Sequence, residues 1–518
     1  MEKLATDIYS FQNLRERGFT YVDKTAMLLP LCDLSVGSQF FLARPRRFGK
    51  SLLVSTLRSI FEGRRGLFEG LAIEPKWDWS KSWTVLHLDM GSCQSETLEG
   101  LKGKVRTVLF KEATRLGVEL RDPDPSNAFS LLIDDLAVKS PSKDGQIVLL
   151  VDEYDKPLLG HLSKPDVTRF RDFLKEFYSV IKTLEAKQRF TFITGVSKFS
   201  KVSTFSDLNN LIDLTMDAST ATLLGYTHDE LKRFLPESLK QIAAANALTP
   251  EGAFEKVVTW YDGYRFEECA EKVINPVSFG LCAKTGKFRN YWSTTAMTTF
   301  LTDALRKRPL DFSTIDIDQS ALEAYEPENP RLVTLLYQTG YLTIKSFRQI
   351  GEKRKYSLCF PNYEVTDSFL SSLVPIYAGL EQTAAMNYQF AAQEALLSGD
   401  AERFVKMLRS FFANIPYSLT DRQNEQMWQT IVYVILKAIG AAVQGEVQTN
   451  EGRIDMTCET PACIWLIEFK LDRPAAEALA QIDEKNYAEK FDFAGKTVRK
   501  LGISFSSERR TIVDVKQG

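Results

Sequence analysis

At 518 residues the chain is too long for a single hydrophobic core and predicts about three domains. A net charge of −2 excludes a global basic field for holding nucleic acid, so any such contact must come from local patches. Seven scattered cysteines and three histidines argue against a zinc centre. No apolar run reaches the roughly 18 residues of a membrane span, and the N-terminus lacks the layout of a secretion signal, so the expectation is a cytoplasmic protein without a membrane partner.

Near the N-terminus, Tyr21-Val22-Asp23-Lys24-Thr25 leads into an apolar run that predicts a short helix ending near Leu31. The apolar stretch 40–43 then reads as a strand. It is followed by the turn Arg44-Pro45-Arg46-Arg47-Phe48 and by Gly49-Lys50-Ser51, which opens a periodic segment. Leu53, Leu57, Ile60 and Phe61 lie at i, i+4, i+7 and i+8, one face of a helix. Strand, loop, Gly-Lys-Ser and helix form the context of a phosphate-binding loop for ATP. Backbone N–H groups of Arg46, Arg47, Phe48 and Gly49 and the helix N-terminus attract polyphosphate, Lys50 reaches the outer phosphates, and Ser51 ligates Mg²⁺. The departure is Arg44, where this motif usually starts with glycine.

Residues 83–88 predict a second buried strand, and helices are expected near 98–116 and 127–138. Residues 147–151 are wholly apolar and read as a central parallel strand. Asp152-Glu153 follows at once, at the strand end where ligands gather in open α/β sheets. Asp152 is expected to hold Mg²⁺ through water, and Glu153 to orient or deprotonate the attacking water. Phe170, Phe173, Leu174, Phe177 and Ile181 share a helical face, and 190–194 form a further strand whose end offers Thr194 or Ser197 as a γ-phosphate sensor. From about Tyr226 the pattern is helical, through 231–245 and 253–261, and a hairpin is expected over 341–360. His87 reads as a satisfied core histidine. The aromatic turn Tyr261-Asp262-Gly263-Tyr264-Arg265-Phe266 reads as a packed turn between domains rather than a base-stacking platform.

The motifs 44–51, 151–157 and 194–200, with Trp260-Tyr261-Asp262-Gly263-Tyr264-Arg265-Phe266, Asn275-Pro276 and Gln338-Thr339-Gly340-Tyr341-Leu342, resemble the AAA-ATPase-like family of prokaryotes. The resemblance spans nearly the whole chain in order. It implies that the first loop glycine is replaceable, and that a PD-(D/E)xK nuclease-like domain lies at the C-terminus.

In that last stretch, 445–455 reads as a strand ending at Asp455, and 464–467 as a buried strand leading into Glu468-Phe469-Lys470. Residues i and i+2 of a strand share a side, so Glu468 and Lys470 project together, where Asp455 from a neighbouring strand can meet them. Two carboxylates make a hard oxygen site for Mg²⁺, and the lysine can position water or offset developing charge. The resemblance puts Asp455, Glu468 and Lys470 in the nuclease positions, adds Glu425 on an upstream helix as a further metal-binding acid, and points to Gln481 and Tyr487 downstream. From Glu381 onward there are 16 Lys+Arg against 19 Asp+Glu, so unaided grip on nucleic acid is expected to be weak.

The fold expected is α/β throughout: a P-loop NTPase domain with a doubly wound parallel sheet over 1–225, a mainly helical, winged-helix-like region over 226–375, and a PD-(D/E)xK nuclease-like α/β domain over 376–518. The function expected is ATP binding and hydrolysis coupled to a Mg²⁺-dependent nuclease domain acting on DNA or RNA, in defence or mobile-element biology. The alternative is an ATP-dependent regulatory switch whose C-terminal domain only binds a partner. A homo-oligomer or a protein partner is left open.

Overall fold

The computed structural model describes the chain apart from residues 1, 143, 200–209, 293–300, 302–303, 306–309, 311, 313–314, 379, 414–424, 439–441, 449–451, 461–462 and 510. At 377–378, 425–428, 442, 446, 448 and 492–494 it describes the backbone alone. The chain forms two compact units, one of Met1–Tyr291 with Asp316–Asn362, the other of Trp292–Ile315 with Tyr363–Gly518. The segment expected as a separate middle region is therefore shared between them.

The first unit is built on five parallel strands, β1 (Gln39–Ala43), β2 (Thr84–Asp89), β3 (Ile147–Asp152), β4 (Gln188–Gly195) and β5 (Ile212–Asp213), in the order β2-β3-β4-β1-β5. All residues of β1 and β3 are buried, which is why both read as unbroken apolar runs rather than alternating ones. The helices Lys50–Phe61, Leu98–Arg115, Pro125–Lys139 and Val167–Thr183 connect and cover the sheet. The expected apolar face of the first of these is buried at Leu53, Leu57, Ile60 and Phe61. Strand order reverses beside β1, so the crevice beyond its C-terminal end is where such sheets receive ligands.

A helical region follows. The single helix expected over 231–245 is two, His228–Phe234 and Pro236–Ala245. Pro236 lacks the N–H that would continue the first helix, and it opens the second as an N1 proline. The predicted hairpin is β7 (Thr343–Ile350) with β8 (Lys353–Cys359), and β6 (Ile315–Asp318) joins it in the order β6-β8-β7.

The second unit carries a mixed sheet, β9 (Ala442–Gln448), β10 (Arg453–Glu459), β11 (Cys463–Leu471), β12 (Thr497–Ser506) and β13 (Thr511–Gln517), in the order β13-β12-β11-β10-β9. Here one sequence expectation is corrected. The stretch 445–455 is not one strand ending at Asp455 but falls on two antiparallel strands, because Gln448 of β9 pairs with Arg453 of β10. Asp455 therefore lies inside β10. Only β11 and β12 run parallel in this sheet, and the helix Ala475–Glu484 makes the crossover between them. Gly502 permits that helix to lie close, since a Cβ there would come 2.4 Å from the Ala475 carbonyl oxygen.

Candidate functional sites

The loop between β1 and the helix Lys50–Phe61 is held from several sides. Gly49 caps the helix with φ of 94°, a left-handed conformation that a side chain would resist. Arg44, in the place of the usual glycine, is fully buried. Its Nη1 donates to the carbonyls of Ala43 at 2.9 Å and Thr215 at 2.7 Å, and its Nη2 to that of Thr220 at 3.1 Å. Its guanidinium also lies 4.3 Å from the centre of the Phe266 ring. Burial lowers its pKa to about 10, which leaves it charged at neutral pH. Arg44 is thus a structural bolt from the loop to the segment after β5.

Phe48 points away from solvent, its ring 4.8 Å from that of Tyr264 and 5.2 Å from that of Phe266. The aromatic turn is accordingly a packed one, and it lies within one compact unit rather than between two. Gly263 sits there because a Cβ would fall 1.9 Å from the Pro361 carbonyl oxygen. Gly340, with φ of 88°, lets its segment close on Pro45, where a Cβ would come within 2.7 Å. Arg265 turns to the hairpin, its Nη1 donating to the Lys345 carbonyl. Arg47 adopts φ of 69° and donates to the Tyr291 carbonyl.

Lys50 is buried, and its Nζ donates to the carbonyls of Arg44 and Pro45, both at 2.9 Å. Burial lowers its pKa, while Asp152, Asp155 and Glu153 oppose that effect. Asp152, ending β3, is pushed up to about 6, chiefly by burial, with the Ser51 hydroxyl and Lys50 pulling the other way. Lys50, Ser51, Asp152 and Glu153 therefore meet at the C-terminal edge of the sheet. Glu153 holds φ of 50°, a conformation costing a non-glycine residue about 1–3 kcal/mol. Burying the large apolar residues of β1 and β3, at roughly 1.5–3 kcal/mol each, outweighs such strain. A cavity of about 300 Å³ shares Arg44 and Pro45 with this loop, but Lys50, Ser51, Asp152 and Glu153 do not line it.

Sequence reasoning assigned no role to Asp155, which proves to be a main brace of the site. Its buried carboxylate accepts the N–H groups of Val196 at 3.1 Å and Ser197 at 2.6 Å. Tyr154 adds a second tie, its hydroxyl donating to the Ser197 carbonyl at 2.9 Å. Gly195 leaves room for both, since a Cβ would lie 2.6 Å from Asp155 Oδ1 and from the Tyr154 ring. The spacing of Asp155 from Asp152 was the available signal. Thr194, considered as a phosphate sensor, donates its hydroxyl to the Leu42 carbonyl at 2.8 Å. His87 lies in β2 as expected, but its Nε2 has no hydrogen-bond partner among the described residues, and burial lowers its pKa.

In the second unit, Asp455 and Glu468 stand side by side on adjacent strands. The Asp455 N–H donates to Glu468 Oε2 at 3.2 Å, and the Phe469 N–H to Asp455 Oδ2 at 2.9 Å. Lys470 Nζ lies 3.7 Å from Glu468 Oε1 and donates to Gln481 Oε1 at 2.7 Å, while Gln481 Nε2 donates to Glu468 Oε1. Burial, and next the Asp455 charge, raise the pKa of Glu468 well above the ordinary carboxylate range. Tyr487 braces the strand start, its hydroxyl donating to the Arg453 carbonyl at 2.9 Å. Glu425 opens the helix Glu425–Ala438, and its side chain lies outside what the structure describes. No group of three or more His, Cys, Asp or Glu side chains suited to a metal occurs among the described residues. The donor set of Asp455 and Glu468 still fits Mg²⁺, which commonly binds through one or two carboxylates plus water and substrate phosphates.

Among the described residues, no helix is long and apolar enough to cross a membrane. Comparison with known proteins agrees with the architecture of both units. A family described as predicted AAA-ATPase matches residues 5–205, and the PD-(D/E)XK nuclease superfamily matches residues 423–515. The chain is 35% identical over 525 residues to an Azotobacter chroococcum mcd 1 protein described as "Uncharacterized protein in vnfD 5'region", with 99% of this chain and 98% of that one covered. The chain therefore belongs to the predicted AAA-ATPase family, with a C-terminal domain of the PD-(D/E)XK nuclease superfamily.

Proposed function

We infer that the protein binds and hydrolyses Mg²⁺–ATP in its first unit and cleaves nucleic acid in its second, the nucleotide controlling the cut. The observation that carries this reading is the same in both units: a buried lysine meets a buried carboxylate of raised pKa where a central strand delivers it, Lys50 with Asp152 and Lys470 with Glu468.

In the first site, Ser51 and Asp152 would hold Mg²⁺, Lys50 would leave its loop carbonyls for the outer phosphates, and backbone N–H groups of residues 46–49 would line them. Glu153 would orient the attacking water and take its proton. In the second site, Asp455 and Glu468 would hold the metal, which supplies activation of water and neutralisation of phosphodiester charge. Lys470, fixed by Gln481, faces the same spot.

Full-length protein incubated with a panel of DNA and RNA, with Mg²⁺ and with or without ATP, tests the whole reading. Cleavage that needs Mg²⁺ and responds to ATP is expected. Glu153→Gln should keep ATP bound while turnover falls about 10²-fold or more. The acidic balance from Glu381 onward favours one rival, a switch whose second unit binds a partner without cutting. ATP turnover without cleavage of any substrate would decide for that rival.

A further inference from the structure

With a net charge of −2 the chain offers nucleic acid no general attraction, and from Glu381 onward it is acidic, so any grip must be concentrated elsewhere. The hairpin of β7 and β8 concentrates it. Between Lys345 and Lys355 lie five cations, Lys345, Arg348, Lys353, Arg354 and Lys355, against the single acid Glu352. Strand alternation sorts the paired residues onto two faces. On the inner face Phe347 pairs with Tyr356 and Gln349 with Arg354. Tyr356 is buried and its hydroxyl donates to Glu268, whose carboxylate also accepts from Arg354 Nη1 at 2.7 Å. On the outer face Ser346 pairs with Ser357, Arg348 with Lys355 and Ile350 with Lys353, and all three cations are exposed. Asp316 reaches Lys355 at 2.7 Å, while Arg348 and Lys353 make no hydrogen bond or ion pair with any described residue. Arg348 stands directly opposite Lys355, and like charges in that relation destabilise a strand pair. Charges that only keep an edge strand from pairing with another chain can be of either sign. An outer face of one sign, kept at a cost to the hairpin, fits a polyanion.

We propose that the outer face of the β7–β8 hairpin binds duplex DNA, lying in the major groove with Arg348, Lys353 and Lys355 against the phosphates that line it. This rests on the nucleic-acid reading given above, and supplies the grip that the acidic stretch from Glu381 onward lacks. The strands of such a ribbon stand about 4.8 Å apart, and the major groove of B-form DNA, roughly 12 Å wide, admits it. The corresponding groove of an RNA duplex is too narrow and deep. Ile350, 61% exposed at the end of β7 and on the same face, can meet a thymine methyl at the groove floor. Each phosphate contact releases counterions, so this face contributes affinity that weakens with salt and does not choose a sequence.

The test uses full-length wild type, the neutral pair Arg348→Gln with Lys353→Gln, and the charge-keeping pair Arg348→Lys with Lys353→Arg. Fluorescence anisotropy follows binding of a labelled DNA duplex, an RNA duplex and a single strand from about 50 to about 200 mM salt. It is run in EDTA, and again in Mg²⁺–ATP on an Asp455→Ala background to prevent cutting. The neutral pair should unfold no earlier than wild type, since it removes a like-charge contact, yet lose about 10- to 100-fold in affinity for the DNA duplex near 100 mM salt. Its affinity should also fall less steeply with salt, the logarithmic slope being smaller by about two. The charge-keeping pair should bind within about threefold of wild type, because phosphate contacts read charge. The inference is overturned if the neutral pair binds within about twofold of wild type with an unchanged salt slope, if wild type binds no DNA duplex in either condition, or if the RNA duplex or the single strand binds as tightly. Cleavage by wild type in Mg²⁺ is assayed separately. DNA held through the hairpin but never cut would defeat the nuclease reading and leave this inference standing; cutting by a wild type whose DNA affinity ignores the hairpin would do the reverse.

Discussion

Lys50 and Lys470 are both buried beside an acid at the end of a buried strand, but they are held differently. Lys50 gives its hydrogen bonds to two carbonyls of its own loop, with carboxylates acting on it through space. Lys470 belongs to a closed side-chain network with Glu468 and Gln481. The first arrangement can release its lysine to an incoming phosphate without dismantling a framework. The second is fixed before anything binds, as a site that must align a metal, a water and a phosphodiester requires. Mutations at the two lysines should therefore fail in different ways.

The sharpest contrast is Lys50→Ala, which removes the cation aimed at the outer phosphates. ATP binding should weaken beyond about 10²-fold and turnover should vanish, measured by calorimetry and phosphate release. Retained affinity and turnover would remove Lys50 from the site. In the second unit, Asp455→Ala and Lys470→Ala should each cut cleavage by about 10²-fold or more and leave ATP turnover within about twofold, because distant sites without shared partners act independently. They should separate in metal titration. Asp455→Ala loses Mn²⁺ affinity, whereas Lys470→Ala keeps both carboxylates and still binds the ion. Equal Mn²⁺ affinity in both variants would contradict a metal-ligand role for Asp455.

A smaller effect is expected at Asp155, which shapes the first site without belonging to its phosphate-binding set. Asparagine is isosteric and its amide oxygen can replace the Oδ2 that accepts both N–H groups, but its NH₂ then stands where Oδ1 shares the Val196 N–H at 3.3 Å, and the negative charge is lost. Asp155→Asn should lower kcat about tenfold with KM nearly unchanged, as the turn after β4 drifts relative to Glu153. A change confined to KM would place Asp155 in nucleotide binding instead.

What could be read from the sequence was local. The strand, the loop and the helix after Gly49 lie within about two helical turns of each other, so spacing alone implied their geometry. The apolar run before Asp152 and the i, i+2 relation of Glu468 and Lys470 are equally short-range. Contacts made from a distance stayed hidden. Arg44 looked like a defect in a glycine position, because its carbonyl partners Thr215 and Thr220 lie far along the chain. Asp155 carried no role in the sequence reading, because its partners are backbone groups of another strand end. The antiparallel strands β9 and β10 read as one, since only the pairing of Gln448 with Arg453 reveals the reversal of the chain.

The smallest predicted effect tests how the fixed network is balanced. Glu468 is about 1% exposed and lies against Asp455, so folding raises its pKa above the value of an unfolded glutamate. A carboxyl with that shift binds its proton more tightly in the folded state. Its contribution to stability is therefore complete below the unfolded pKa and is lost as pH rises through the folded one. Above that range the second unit carries a buried carboxylate offset by the Asp455 N–H, Lys470 and the Gln481 amide. Glu468→Gln removes the titration. It also forfeits one acceptor, for either the Asp455 N–H or the Gln481 amide, and that cost is the same at every pH. In EDTA, the melting temperature of the variant relative to wild type should rise between pH 5 and pH 9 by at least about 2–4 °C, the equivalent of roughly 1 kcal/mol in a unit of this size. The transition to follow is the one that Lys470→Ala also moves. Adding Mg²⁺ at pH 9 should stabilise wild type and not the variant, because an ion replaces the proton only where the carboxylate can ionise. A difference that stays constant from pH 5 to pH 9 would show that Glu468 is not held in its protonated form, and that the second site is balanced through charge pairing with Lys470 instead.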